Sequence, residues 1–186
     1  MASTAEGGAV VPKVSQLVSE LADREAIRDC LYRYCRGVDR CDEDMLRSVY
    51  WEDAFDDHCL FAGKREELIA WVLPLLRQRE STSHTISNIL IRVFGDKAHA
   101  ESYFEGYHVI RTETGPKGFL QGGRYLDSFE RRQGEWRIAV RKVVVDWFRE
   151  YAQAGDWRKG PQGQTQIEPG GRCPEDESYS LLDLKP

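Results

Sequence analysis

Residues 125–148 read YLDSFERRQGEWRIAVRKVVVDWF. Two runs rich in β-branched and aromatic residues flank Arg132-Gln133-Gly134, a turn-like break. That pattern predicts a long hairpin. Working back along the chain, segments near 84–94, 98–113 and 118–130 have the same composition. Gly95-Asp96 and Thr114-Gly115-Pro116 separate them. The second half is thus a series of antiparallel strands, and Gly122-Gly123 marks a bulge that bends them.

The first half reads differently. Ile27, Leu31, Tyr34, Cys35 and Val38 recur every three or four residues and form one helical stripe. Asp23 is placed to cap that helix, and Gly37 weakens its last turn. Asp42 can cap a shorter helix that turns Leu46 and Val49 inward. A third helix follows Gly63, with Leu68, Trp71, Val72, Leu75 and Leu76 on one face and Pro74 expected to bend or shorten it. Helices first and consecutive strands after them predict an α+β fold, with helices on one face of a curved antiparallel sheet.

The chain has 186 residues, 41% of them hydrophobic and 11% aromatic. That is one domain with a real core. The charge is −5, from 26 basic and 31 acidic residues, which argues against a nucleic-acid partner. No apolar run approaches the roughly 20 residues of a membrane span. Met1 to Gly8 lacks the features of a signal peptide, so a cytoplasmic location is expected. Residues 1–12 read as a flexible N-terminus and 13–153 as the domain. Residues 154–186, with five glycines and four prolines, read as an irregular tail. The five cysteines form no C-x-x-C pair, which argues against structural zinc and fits a reduced compartment. Nucleotide, nicotinamide, zinc-protease and serine-hydrolase motifs are absent.

Polar residues on apolar faces are the candidates for chemistry. Asp39 lies on the stripe if the first helix continues; if it ends at Gly37, Asp39 is a solvated loop residue. His84 shares a strand face with Ile86, Asn88 and Leu90, and His108 shares one with Phe104, Gly106 and Ile110. Each is either a satisfied core histidine or part of a site. Arg141 sits in a row with Ala139, Val143, Val145 and Trp147. A guanidinium there needs a carboxylate or a substrate oxygen.

Over roughly residues 15–150 the chain resembles the SnoaL-like group of the nuclear transport factor 2-like superfamily. The stretch REAIRDCLYRYCRGVDRCDEDMLRSVYWEDA (residues 24–54) looks like the opening helices. STSHTISN (residues 81–88) looks like the histidine-bearing strand, and the R-x-G-x-W turn looks like the closing hairpin. The Asp39 and His84 combination is similar to the base pair of the hexachlorocyclohexane dehydrochlorinase, scytalone dehydratase and bile acid 7α-dehydratase branch. Arg141 matches an arginine of the dehydrochlorinase, and Tyr34 a tyrosine of the bile acid enzyme. His108 falls near a second histidine of scytalone dehydratase. His58 stands where that enzyme has a site tyrosine, which argues against scytalone itself as substrate.

The resemblance implies a cone, in which helices wrap a curved sheet around an internal pocket. It implies a cofactor-independent and metal-free lyase, a dehydratase or dehydrohalogenase, or else an isomerase. Its substrate would be apolar and cyclic, steroid- or polyketide-like. His84 is then the base, Asp39 its partner, and Arg141 and Tyr34 the polar donors. His108 and His58 bind substrate, His108 also as a possible second acid. Phe104, Trp51 and Trp71 are candidate walls, with core packing as the plain alternative. A homo-oligomer, a trimer in related enzymes, is expected. Two non-catalytic readings stay open: the small subunit of a ring-hydroxylating dioxygenase, or an apolar-ligand-binding protein.

Overall fold

A computed structural model describes residues 13–151 and 170–184. Helix α1 (Val14–Arg40) is followed by α2 (Glu43–Val49), β1 (Tyr50–Asp57), β2 (Ala62–Lys64) and α3 (Arg65–Arg77). The long strands β3 (Arg79–Phe94), β4 (Lys97–Thr112), β5 (Gly115–Arg132) and β6 (Glu135–Tyr151) come next, and α4 (Ser178–Leu181) lies in the tail. The α+β order expected from the sequence holds. The predicted start at residues 1–12 lies outside the described residues. Among the described residues no helix is long and apolar enough to cross a membrane.

The sheet has six strands in the order β2-β1-β6-β5-β4-β3. It is mixed rather than wholly antiparallel, because β1 pairs with β6 in parallel, and it does not close into a barrel. Strands β1 and β2 escaped the sequence reading. Tyr50–Asp57 holds four charged residues in eight and lacks the apolar run that marks a strand. Helix α1 packs on β3 and β6, and α3 on β1, β2 and β3. The helices therefore bridge both ends of the sheet. Ile27, Leu31, Val38, Leu46, Leu73, Phe129 and Ile138 fill the space between, each contributing about 1.5–3 kcal/mol by leaving water.

Two expectations about α1 need correction. Asp23 lies inside the helix rather than at its cap, and its carboxylate accepts from Arg131 Nη1 at 2.7 Å and Trp136 Nε1 at 2.9 Å. Gly37 does not end the helix. A Cβ there would stand 2.9 Å from Leu46 Cδ2, so the glycine lets α2 lie close. The helix runs on to Arg40 and stops at Cys41, whose φ of 52° is left-handed. Asp42 caps α2 as expected, accepting from the Met45 amide at 2.9 Å. Helix α3 continues past Pro74 to Arg77.

The alternation of β6 also departs from simple counting. Phe129 pairs with Ile138 and Ser128 with Val140, so Ala139 is an extra residue on β6. This bulge resets the period. Trp136 and Ile138 upstream face inward together with Arg141 and Val143 downstream. A second shift falls opposite Gly122 and Gly123, but its extra residue is Asp146 on β6 and not one of the β5 glycines, where the sequence places the bulge. A Cβ on Gly122 would meet the Trp147 ring at 2.3 Å.

Residues 170–184 dock against the end of α1. Tyr179 is buried and its hydroxyl donates to the Asp42 carboxylate. The Cys173 amide donates to the Arg40 carbonyl at 2.7 Å. The part of the tail that composition assigns to loop thus carries a helix and a buried anchor.

Candidate active site

Because α1 extends to Arg40, Asp39 stays on its inward side, beside β3. Its side chain is 13% exposed and that of His84 is 9% exposed. One carboxylate oxygen accepts from the His84 backbone amide at 2.8 Å. The other lies 2.6 Å from His84 Nδ1. An ionised carboxylate only accepts, so Nδ1 carries the proton and Nε2 is left as the free, basic nitrogen.

Arg172 holds this corner from behind. Its guanidinium donates to the Asp39 carbonyl, to Thr82 Oγ1 at 2.5 Å and to the Arg79 carbonyl at 3.3 Å. It thereby ties the end of α1 to the start of β3. Nothing in the local sequence around Arg172 marks it, because the link spans more than ninety residues of chain.

His84 lies on the wall of a cavity of about 230 Å³. Trp71, Val72, Phe104, Phe119 and Tyr125 make most of its surface apolar, and Arg79, Gln121, His58 and His108 supply polar groups. Phe104 and Trp71 therefore occupy the expected walls. Phe104 stacks on Tyr125 with centroids 4.4 Å apart. Arg79 and Gln121 were not singled out by sequence, since each looks like an ordinary polar strand residue until the sheet curves.

His108 meets His84 edge to face, with centroids 5.1 Å apart. Gly106, opposite His84 in the β3–β4 pairing, makes room for both. A Cβ there would stand 3.3 Å from Nε2 of each histidine. Burial pushes the His108 pKa down to about 3, with His84, Arg79 and Arg172 adding to the effect. His108 is therefore neutral at ordinary pH, and its Nδ1 has no hydrogen-bond partner among the described residues.

His58 follows β1 and reaches the same cavity. Its Nδ1 lies 3.0 Å from Asp56 Oδ1, and Tyr50 donates to the other oxygen of Asp56 at 2.7 Å. Asp56 is 1% exposed.

The structure does not bring every predicted site residue to the cavity. Arg141 is wholly buried and makes a two-pronged pair with Asp127, at 2.7 and 2.8 Å. Its guanidinium lies 4.0 Å from the Tyr34 ring centre and 4.2 Å from that of Tyr125. Burial works against its charge, yet Asp127 and the tyrosines Tyr50 and Tyr34 raise its pKa. Tyr34 is buried alongside, and burial pushes its hydroxyl pKa up. Neither residue lines the cavity; they form a layer beyond Tyr125. The carboxylate that Arg141 demanded is supplied within the protein, by the neighbouring strand. Trp51 is also elsewhere: its Nε1 donates to the Glu130 carbonyl at 3.0 Å, under Arg132 and Arg137.

Known proteins share this arrangement of elements. An uncharacterized protein of Mycobacterium tuberculosis is 27% identical over 143 residues, 75% of this chain and 96% of its own length. The LinA-type3 hexachlorocyclohexane dehydrochlorinase of Novosphingobium barchaimii superposes with a TM-score of 0.64 at 22% identity, covering 82% of this chain and 99% of that one. A scytalone dehydratase-like protein of Novosphingobium aromaticivorans superposes with a TM-score of 0.65 at 20% identity, covering 74% and 93%. At these identities the likeness is one of fold. The sequence profile of the SnoaL-like domain matches residues 19–142, a stretch that holds most of α1, both histidines of the β3–β4 wall and the start of β6. On that match the chain belongs to the SnoaL-like domain family.

Proposed function

We propose that the protein is a cofactor-independent lyase, a dehydratase or dehydrohalogenase, or else a double-bond isomerase. Its substrate is a small apolar cyclic molecule of steroid or polyketide type. The observation that carries this reading is the contact of His84 Nδ1 with Asp39 at 2.6 Å, on the wall of an apolar cavity.

Nε2 of His84 takes a proton from a substrate carbon. The C–H electron pair forms a double bond and expels the group on the neighbouring carbon. Asp39 keeps the tautomer and stabilises the imidazolium. A positioned base contributes on the order of 10²–10⁴-fold. Charge developing on a substrate oxygen falls to Arg79 and Gln121, the donors on the cavity wall. Proton abstraction and elimination of this kind need no redox or electrophilic cofactor.

Decalone and tetralone incubated in deuterium oxide test the base. The wild-type chain should speed deuterium uptake beside the carbonyl, and His84→Gln should not. Equal uptake by both proteins would refute the reading. The proposal extends to a homo-oligomer, since Val145, Trp147 and Phe148 are exposed on β6. Light scattering at the single-chain mass of 21.4 kDa would count against it.

A further inference from the structure

Three histidines line the cavity, and two have a carboxylate behind them. His84 has Asp39 and His58 has Asp56. The two pairs come from far apart in the sheet. His84 is on β3 and His58 follows β1, with β6, β5 and β4 between those strands. Only the curvature of the sheet lets them face one space.

Asp56 is costly to keep in place. A buried carboxylate loses several kcal/mol of hydration unless it is paired. Among the described residues its one ion-pair partner is His58, and Tyr50 satisfies its second oxygen. A Tyr50–Asp56–His58 chain fixes the proton of His58 on Nδ1. It leaves Nε2 as the only ring nitrogen available to a ligand. When Nε2 is also protonated, Asp56 stabilises the cation. His108 lacks such a partner, and its pKa near 3 keeps it neutral.

We propose that the His58–Asp56 pair is a second proton-transfer site, which binds the oxygen of a leaving hydroxyl and protonates it. The assignment rests on His84 as the base, and it makes the substrate class of that site an alcohol rather than a halide. Hydroxide leaves poorly, because water has a pKa of about 15.7; water itself leaves readily. In the step, His84 Nε2 takes the proton from carbon and the C–H pair becomes the double bond. The C–O bond breaks as His58 Nε2–H passes its proton to that oxygen, and water departs. His84 then holds one proton more and His58 one fewer, and exchange with solvent restores both. Asp56 and Tyr50 act through His58 as positioning residues.

The test uses the full chain with β-hydroxydecalone and β-chlorodecalone, beside nitrogen NMR with β-naphthol. His84→Gln should slow loss of both water and chloride by on the order of 10²–10⁴-fold. His58→Gln should slow loss of water by a comparable factor and slow loss of chloride by at least about tenfold less than that. Asp56→Asn should follow His58→Gln, with circular dichroism confirming that each variant is folded. β-Naphthol should shift the Nε2 resonance of His58, and its affinity should fall roughly tenfold in His58→Gln, the worth of one hydrogen bond. If His58→Gln slows neither reaction, or both equally, the assignment is overturned while the base reading survives. If the wild type processes neither compound, the base reading fails for these probes. An unmoved His58 resonance then overturns the second site as well, and a shifted one supports it as an oxygen-binding site.

Discussion

Asp39 grips His84 twice, through the backbone amide at 2.8 Å and through Nδ1 at 2.6 Å. The first contact sets where β3 lies against α1. The second sets which ring nitrogen carries the proton. One carboxylate thus joins packing to chemistry, and the two residues are expected to work as a unit.

Coupling is measurable in single turnovers. His84→Gln should remove on the order of 10²–10⁴ of rate. Asp39→Asn should remove much of the same, because an amide can hold the wrong tautomer. The double variant should be little slower than His84→Gln alone. Losses that simply multiply would refute the dyad.

Gly106→Ala probes the space above the strand. The new Cβ would stand 3.3 Å from Nε2 of both His84 and His108, so each ring must give way by a few tenths of an ångström. Turnover should fall roughly tenfold through misplacement of the base. Stability should change little, as alanine in a strand recovers some backbone entropy. An unaltered rate would show that the rings have slack.

Acid sensitivity follows from His108. Its folded pKa is near 3 against an ordinary 6.5, chiefly because of burial. Between those values the unfolded chain binds a proton that the folded chain refuses. Stability therefore falls as pH drops from about 6.5 towards 3, by up to about 1.4 kcal/mol per pH unit. Above 6.5 this contribution is flat. His108→Gln should flatten the slope, as read from urea midpoints across the window. A slope unchanged in the variant would place the acid sensitivity elsewhere.

Arg172→Met tests the tail. The guanidinium joins Asp39, Thr82 and the Arg79 carbonyl, and its loss leaves buried acceptors unpaired at about 1–3 kcal/mol. The midpoint should drop by about 2–4 °C for each kcal/mol. Arg172→Lys should recover only part, because a compact ammonium lacks the forked reach with which the guanidinium joins α1 to β3. Thermal melts of the three proteins decide it.

Local pattern carried most of the architecture. The 3.6-residue stripe from Ile27 to Val38 and the turn-punctuated strands after His84 were legible because periodicity and turn chemistry act within a few residues. The Asp39–His84 combination was legible only through resemblance, since local spacing by itself favoured a loop for Asp39. The rest needed the folded chain. Gly37 reads as a helix breaker until Leu46 is packed on it. Arg141 reads as a substrate donor until Asp127 on β5 takes its charge. Asp56, Arg79 and Arg172 look like surface residues in the sequence, and become site residues only when strands distant in the chain curve around one cavity. A sequence determines which faces are apolar and where the chain turns. Which charged groups meet depends on contacts between residues tens of positions apart, and curvature, bulges and the docked tail decide those contacts together.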